Sequence, residues 1–301
     1  MEASRSCPIC HESPENAKLF LDRNIDPAKI SSFSYASRKD PEYMCHRLLR
    51  CGKCDLVYVD QPPEERELAH AYHVADYDSS EEAGDAAAAY IKAVRPILAS
   101  LKRRERALEI GAGTGVFLER LSREGFRELT GVEPSSAAIA AAPAERRGWI
   151  REGIFREEDF KPDSFDLICC FMTMEHVRDP NVLARAAYRL LRPGGAFIIV
   201  VHDYRSFVNR VLGKRSPIID IEHMQLFSRR SAHYLFQSAG YQNIAIGAFA
   251  NRYALRYWLR LMPLPQAIKR PLAAMLAAGG LDGIKVALNV GNLLASGIKG
   301  A

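Results

Sequence analysis

The sequence has no run of about eighteen apolar residues, the length that a membrane-spanning helix needs. Residues 1–7 also lack the apolar stretch of a secretory signal peptide. We therefore predict no membrane span and expect the chain in the cytoplasm. Its 301 residues contain no internal repeat, and a hydrophobic share of 48% permits a sizeable globular core.

The cysteines lack the arrangement of a disulfide framework, because seven of them cannot all pair. Four form two C-x-x-C pairs, Cys7–Cys10 and Cys51–Cys54, with forty residues between the pairs. Two such pairs can complete a tetrahedral Zn²⁺ site, and a site closed by four protein ligands serves structure. We predict a structural zinc site; buried free thiols are the alternative. Spare ligands nearby are His11, Cys45 and His46.

The chain has no large excess of either charge, with a net charge of +5 at pH 7. Residues 249–301 hold seven Lys or Arg and one acidic residue, so the rest of the chain is almost neutral. Within this segment Arg252, Arg256 and Arg260 recur every four residues, which predicts one stripe on a helix. We favour a solvated helix face for this stripe, over a core-facing apolar side, and keep as the alternative that it binds a substrate phosphate or an anionic lipid surface.

One glycine-rich segment carries the strongest functional signal. The apolar run Ala107–Ile110 predicts a buried strand and Val116–Glu124 predicts a helix. The turn between them carries glycine at alternate positions, Gly111, Gly113 and Gly115. Without side chains, these residues let the backbone approach a ligand. The dinucleotide pattern G-x-G-x-x-G is absent, because residue 116 is Val.

These residues resemble the first motif of the class I S-adenosylmethionine (SAM)-dependent methyltransferases. Further matching segments follow in order: Val132-Glu133-Pro134, Ser164–Ile168, Met174–Val177 and Leu190–Gly195. The resemblance covers roughly residues 100–250. It implies a Rossmann-like, mostly parallel seven-stranded sheet that binds SAM at the carboxyl ends of its strands.

The resemblance also implies which residues bind the cofactor. They are Glu109, Gly111, Gly113, Gly115, Glu133, Ile154, Phe155 and Phe171. Glu133 is expected to accept hydrogen bonds from both ribose hydroxyls. Ile154 or Phe155 is expected to cover the adenine ring, and Phe171 to flank the sulfonium carbon. Ordinary core packing is the alternative for these three apolar residues.

Short apolar runs alternate with longer helical stretches from about residue 105 onward. This alternation predicts a doubly wound α/β sheet with helices on both faces. Residues 251–280 contain helix formers and three prolines, and residues 290–299 favour a last strand. We predict a zinc-binding module at 1–60, a helical linker or lid at 61–104, the SAM-binding core at 105–250, and a helical segment with a final strand at 251–301.

Methyl transfer to a hydroxyl or carbon acid requires a proton acceptor, and histidine suits this role near neutral pH. The pair Glu222-His223 precedes Phe227-Ser228 and resembles a family signature near the acceptor site. We therefore place His223 first, with Glu222 beside it. His176 and His202 remain alternative bases. Structural hydrogen bonds to loop carbonyls are the competing role for all three histidines.

The cysteine module joined to this core resembles the zinc-bearing sugar methyltransferases of bacterial deoxysugar pathways. Those enzymes are longer and have an additional C-terminal domain. We expect methylation of a hydroxyl or carbon on a sugar, glycan precursor or related small molecule. A nucleic-acid-binding or nucleic-acid-modifying zinc protein is the alternative. Residues 1–60 lack the dense Lys/Arg stripe with stacking aromatics that such a partner requires. A scaffold without catalysis is the third hypothesis.

Overall fold

A computed structural model describes residues 4–36, 41–77 and 80–300. The strands are β1 (Ala17–Leu21), β2 (Leu48–Cys51), β3 (Val57–Val59), β4 (Arg106–Ile110), β5 (Glu128–Glu133), β6 (Ile150–Glu152), β7 (Phe165–Phe171), β8 (Leu191–His202), β9 (Gln225–Leu226), β10 (Gln242–Ala254) and β11 (Lys285–Ile298). The helices are α1 (Glu65–His73), α2 (Ser80–Ser100), α3 (Val116–Arg123), α4 (Ser136–Ala141), α5 (Ala144–Arg147), α6 (Pro180–Leu190), α7 (Phe207–Leu212), α8 (Arg229–Ser238), α9 (Leu255–Leu261) and α10 (Gln266–Ala278).

Seven strands form the main sheet in the order β10-β11-β8-β7-β4-β5-β6. Only β11 runs against its neighbours, since it pairs antiparallel with both β8 and β10. Every residue of the central strand β7 is buried, as expected when helices cover both faces. The predicted doubly wound, mostly parallel seven-stranded sheet is confirmed, and so is the strand at the end of the chain.

The parallel strands place their carboxyl ends along one edge of the sheet. Glu109 lies near the end of β4, Glu133 ends β5, Phe171 ends β7 and His202 ends β8. Doubly wound sheets bind ligands outside this edge. The edge therefore collects side chains that are up to about ninety positions apart in the sequence.

A second sheet has the order β1-β2-β3-β9. Its first three strands come from the cysteine-bearing segment, whereas β9 comes from the region of the Glu222-His223 pair. The side chains of Leu49, Leu56 and Tyr58 pack in the same buried cluster as Phe197 of the main sheet. The two sheets thus share a core. The four domain boundaries derived from the sequence stay a prediction.

The segment after residue 250 differs from the sequence prediction at its start. Residues 251–254 were expected to be helical, but they continue β10 because they pair with residues 285–288 of β11. Arg252 therefore lies on a strand, and only Arg256 and Arg260 lie on α9. The predicted single helical stripe of three arginines is wrong. The helices α9 and α10 form an insertion between the two strands.

Within the described residues, no helix is long and apolar enough to cross a membrane.

Candidate active site and cysteine cluster

A cavity of about 1230 Å³ opens at the carboxyl edge of the main sheet. A typical cleft for one small ligand has a volume of roughly 300–1,000 Å³. The cavity therefore has room for a cofactor and an acceptor together. Its walls include the glycine turn, the three candidate histidines and aromatic residues of the C-terminal insertion.

The glycine turn needs glycine for two separate reasons. Gly111, Gly113 and Gly115 have φ angles of 77°, 52° and 70°, in the left-handed region that disfavours other residues. A Cβ atom on Gly111 would also lie 2.1 Å from the hydroxyl oxygen of Thr173. Gly111 and Gly113 line the cavity, whereas Gly115 lies outside its lining as the N-cap of α3. The turn therefore leaves space for a ligand beside the end of β4. Glu109 also lines the cavity at this point.

Glu133 is held at the tip of β5 by the backbone. Its two carboxylate oxygens accept hydrogen bonds from the backbone N–H groups of Gly113, at 2.7 Å, and Ser135, at 2.9 Å. Burial raises the pKa of Glu133, and these two hydrogen bonds counteract part of that effect. Each oxygen has a second lone pair, so both can accept hydroxyl donors from the cavity that they line.

The predicted apolar residues also lie at the cavity. Phe171 is 6% exposed and packs edge-on against Phe117, with ring centroids 4.7 Å apart. Ile154 and Phe155 lie in the loop after β6 and line the cavity on the side of Glu133. Phe155 also stacks on Phe160, with centroids 6.0 Å apart. All three residues are therefore near the expected cofactor site and take part in packing as well.

The three candidate histidines form one cluster. The ring centroid of His223 lies 5.0 Å from that of His176 and 5.6 Å from that of His202. His223 Nδ1 lies 2.8 Å from the carbonyl oxygen of Ile218, so in the neutral ring this nitrogen donates and Nε2 keeps the lone pair. Burial lowers the pKa of both His176 and His223. Both rings are therefore neutral at pH 7.

Glu175 is a site residue that the sequence analysis quoted in a motif but did not assign. Its carboxylate is fully buried, accepts a hydrogen bond of 2.6 Å from the backbone N–H of His202, and lies 3.2 Å from Nδ1 of that ring. Burial raises the pKa of Glu175, but the interaction with the side chain of His202 outweighs burial, so the pKa is lowered. The buried carboxylate is therefore ionised beside His202.

Tyr72 of α1 is a second residue that the sequence analysis missed. Its hydroxyl lies 3.0 Å from Nδ1 of His176 and donates to the carbonyl oxygen of Glu222 at 3.1 Å. The Glu222 carboxylate lies 3.6 Å from the same His176 nitrogen. The predicted lid region thus supplies a hydroxyl that fixes His176. Only the position of α1 over the sheet could have revealed this contact, because residue 72 is remote in sequence.

The four predicted zinc ligands form one cluster. The sulfur atoms of Cys7 and Cys54 lie 3.5 Å apart, and those of Cys10 and Cys51 lie 3.4 Å apart. All four sulfurs lie within 4.8 Å of one another. Tetrahedral Zn–S bonds of about 2.3 Å would place sulfurs roughly 3.8 Å apart, so the donor set fits Zn²⁺. His11 and Cys45 lie outside this cluster of ligand atoms, as does His46.

Contacts between the thiols shift the pKa values of Cys51, Cys7 and Cys54 in opposite directions. Hydrogen bonds from Cys54 and Cys7 lower the pKa of Cys51, whereas the hydrogen bond to Cys51 raises the pKa of Cys7 to about 12. The hydrogen bond between Cys54 and Cys51 likewise raises the pKa of Cys54. The raised pKa values favour protonated thiols at Cys7 and Cys54, and a divalent cation would displace those protons.

A comparison with known protein families shows to which family the segment that forms the main sheet belongs. A profile of the family described as methyltransferase domain matches residues 82–246, which is more than half of the chain. The chain belongs to this methyltransferase family. The prediction of a SAM-dependent methyltransferase is thereby confirmed, and the glycine turn, Glu133 and the histidine cluster all lie in the matched region.

Curated relatives of the methyltransferase include ubiquinone biosynthesis O-methyltransferases. Those of Pseudomonas entomophila and Pseudomonas putida F1 are 28% and 31% identical over 120 residues, which cover 36% of this chain and 50% of each relative. The chain thus spans about half the length of these relatives. A solved SAM-dependent methyltransferase of Archaeoglobus fulgidus is 14% identical, with a TM-score of 0.49 over 78% of this chain and 100% of that one.

We predict that Glu133→Ala weakens SAM binding at least about tenfold, because hydrogen bonds to a charged group contribute roughly 1.5–3 kcal/mol. Isothermal titration calorimetry measures this change. Glu128→Ala is the matched control, since Glu128 begins the same strand, is exposed and pairs with Arg106. Unchanged affinity in the Glu133 variant would remove Glu133 from the cofactor site.

Proposed function

We propose that this methyltransferase transfers the methyl group of SAM to a hydroxyl of a small molecule. The observation that carries the proposal is that His202 lines the cavity and has the buried carboxylate of Glu175 behind it, 3.2 Å from its Nδ1. A hydroxyl acceptor must lose a proton during transfer, and a histidine with a carboxylate behind it can take that proton. The name O-methyltransferase on the curated relatives supports the same reaction.

SAM supplies the reactive methyl group, already activated by its sulfonium charge. The open glycine turn and the two lone pairs of Glu133 fit its aminoacyl and ribose parts. In our proposal Glu133 orients the ribose, and Phe171 with Met172 excludes water from the reacting atoms. The neutral rings of His176 and His223 place no repelling positive charge near the sulfonium group.

His202 is better suited to be the base than His223, which the sequence analysis placed first. Protonation of a base creates an imidazolium ion, and an adjacent carboxylate stabilises that ion. His202 has Glu175 at 3.2 Å, whereas the Nδ1 partner of His223 is an uncharged carbonyl. We therefore assign the proton transfer to His202. His223, His176 and Glu222 then shape the acceptor side of the cavity.

The acceptor remains the class proposed from the sequence, a sugar, a glycan precursor or a related small metabolite. The size of the cavity supports an acceptor beside the cofactor. The curated relatives are named for ubiquinone biosynthesis, which adds hydroxylated aromatic compounds to the molecules worth screening. A coupled assay for S-adenosylhomocysteine (SAH) release, with nucleotide sugars and dihydroxylated aromatic acids, tests the proposal. If the protein methylates none of these compounds in the presence of SAM, this acceptor class is contradicted.

We predict that His202→Ala lowers kcat by about 100-fold or more, because general base catalysis contributes roughly 10²–10⁴-fold. Glu175→Gln should lower kcat as well, since it removes the charge that stabilises the imidazolium ion. SAH affinity should not change in the His202 variant. His233→Ala is the control, because His233 is an exposed residue of α8. Full activity of His202→Ala together with an inactive His223→Ala would make His223 the base.

We further propose that Cys7, Cys10, Cys51 and Cys54 bind one structural Zn²⁺. The sulfur spacing supports this assignment. Cys7 and the neighbouring Pro8 also border the active-site cavity, so the metal would fix part of the cavity wall. A closed four-cysteine site offers no open position for catalysis.

We predict that purified protein contains one zinc per chain and that Cys51→Ser loses it, with a lower melting temperature. Elemental analysis and calorimetric melting measure both effects. Cys45→Ser should retain the metal, because Cys45 is buried outside the cluster. Wild-type protein that neither contains zinc nor takes it up would refute the site.

We also propose that the insertion α9–α10 contacts an anionic lipid surface. No residue of α10 is buried, although the helix is rich in apolar residues. The large apolar side chains exposed in this region are Met262, Ile268, Met275, Leu281 and Ile284. Residues 251–284 carry five Lys or Arg against one acidic residue. An apolar face with a positive charge suits the interface of an anionic bilayer.

We predict that the protein sediments with phosphatidylglycerol vesicles and much less with phosphatidylcholine vesicles. The double variant Ile268→Asp with Met275→Asp should lose this binding, because both side chains are exposed on α10. Leu19→Asp is the control, since Leu19 is an exposed apolar residue of β1. Equal binding to both vesicles, or binding that the double variant keeps, would contradict the proposal.

A further inference from the structure

We infer that Asn251 and Asn292 form a subsite that recognises the second oxygen of a ring diol, one oxygen of which is methylated. The inference rests on the proposed function, because it places the reacting oxygen at His202. It adds a substrate class and two specificity-determining residues to that function.

Both side chains are buried at the cavity, and among the described residues one polar atom of each has no hydrogen-bond partner. Asn251 is 4% exposed and Asn292 is 2% exposed, and both line the cavity. Within the described part of the chain, Asn251 Oδ1 and Asn292 Nδ2 have no hydrogen-bond partner. Together they hold an acceptor and a donor that the fold leaves unsatisfied in the cavity wall. A buried amide without a partner destabilises a folded protein, so such groups in a cavity wall indicate a ligand that supplies the partner.

The backbone around these residues departs from regular pairing. The register between β10 and β11 shifts between Phe249 and Asn251. On the opposite strand Gly291 has a φ angle of 99°, and a Cβ atom there would lie 2.3 Å from the hydroxyl oxygen of Ser206. Bulges of this kind re-aim side chains and are frequent beside active sites. This irregularity brings Asn251 and Asn292 to the same cavity.

The position of Asn292 relates the subsite to the proposed base. Asn292 is paired with His202 across the antiparallel strands β11 and β8. Side chains of such partners lie on the same face, with Cβ atoms about 4.5–5.5 Å apart. A ligand oxygen at His202 and a second oxygen at Asn292 are therefore close enough to belong to adjacent ring carbons.

Aromatic side chains complete this part of the cavity. Tyr253 and Tyr257 are 5% and 6% exposed, line the cavity and pack edge-on with centroids 4.7 Å apart. Trp258 lies next to them and also lines the cavity. Aromatic faces beside directed polar groups suit a ring whose edge carries hydroxyls. A catechol and a sugar ring both provide such a vicinal diol.

The test measures binding to the SAH-loaded protein by calorimetry, with 3,4-dihydroxybenzoate and UDP-glucose as the two diol probes. We expect one of them to bind, which identifies the aromatic or the sugar source. Asn251→Leu and Asn292→Leu should each weaken that binding about tenfold while SAH affinity stays unchanged. Each variant should also raise the melting temperature of the ligand-free protein, because it removes an unpartnered buried amide.

Asn289→Leu is the matched control on β11. Asn289 is exposed, and its side chain accepts a hydrogen bond from the backbone of Gly291. This variant should neither weaken diol binding nor raise the melting temperature. For 3,4-dihydroxybenzoate, comparison with 3-hydroxybenzoate adds a second readout. Wild type should prefer the diol, and Asn292→Leu should lose that preference.

Three results would overturn the inference. If the SAH-loaded wild type binds neither diol, the diol subsite is wrong while the methyltransferase assignment stands. If the leucine variants bind the diol as wild type does and melt at a lower temperature, the amides are structural. If the wild type does not bind SAH at all, the proposed function fails and this inference fails with it.

Discussion

The wall of the candidate active site depends on one buried carboxylate residue, Glu175, which joins three separate parts of the chain. Its side chain accepts the backbone N–H of His202 at the end of β8. Its backbone carbonyl accepts hydrogen bonds from Met224, at 2.7 Å, and Gln225, at 3.3 Å. A buried charge is costly unless hydrogen bonds and opposite charges compensate it. His202, whose backbone N–H and ring both lie beside this carboxylate, therefore has to stay close to Glu175, and this requirement fixes one wall of the cavity.

This arrangement connects the cysteine cluster to the proposed catalytic base. Gln225 belongs to β9, which pairs with β3 of the small sheet, and its side chain donates to the carbonyl oxygens of Met174 and Val177. The second cysteine pair lies at the turn between β2 and β3 of the small sheet, because β2 ends at Cys51 and Cys54 precedes β3. A metal that ordered the cysteine cluster would thus also steady the loop that carries Glu175. A structural site can influence catalysis in this way without touching the substrate.

The fold and the place of the glycine turn and Glu133 at the edge of the sheet could be predicted because their signals are local. The glycine turn, the strand before it and Glu133 lie within one short stretch of sequence, and each has a direct physical reason. Glu175 could be quoted in a motif, but its role could not be derived, since His202 is 27 positions away. Arg252 was misplaced because pairing with β11 outweighs the helical spacing of the arginines. Pairing between strands that are distant in the sequence cannot be recognised from the local residue pattern of either strand.

The same limit explains why the acceptor end of the cavity is harder to derive than the cofactor end. Asn251 and Asn292 come from an irregular pair of strands, and nothing in their local sequence distinguishes them from surface amides. Only their burial without partners sets them apart. A folded chain tolerates such groups when binding compensates their cost, so the least stable part of an enzyme wall is often the part that recognises the substrate. In our proposal that part of the methyltransferase is the junction of β8, β11 and β10, which Tyr257 and Trp258 of the insertion border in the same cavity.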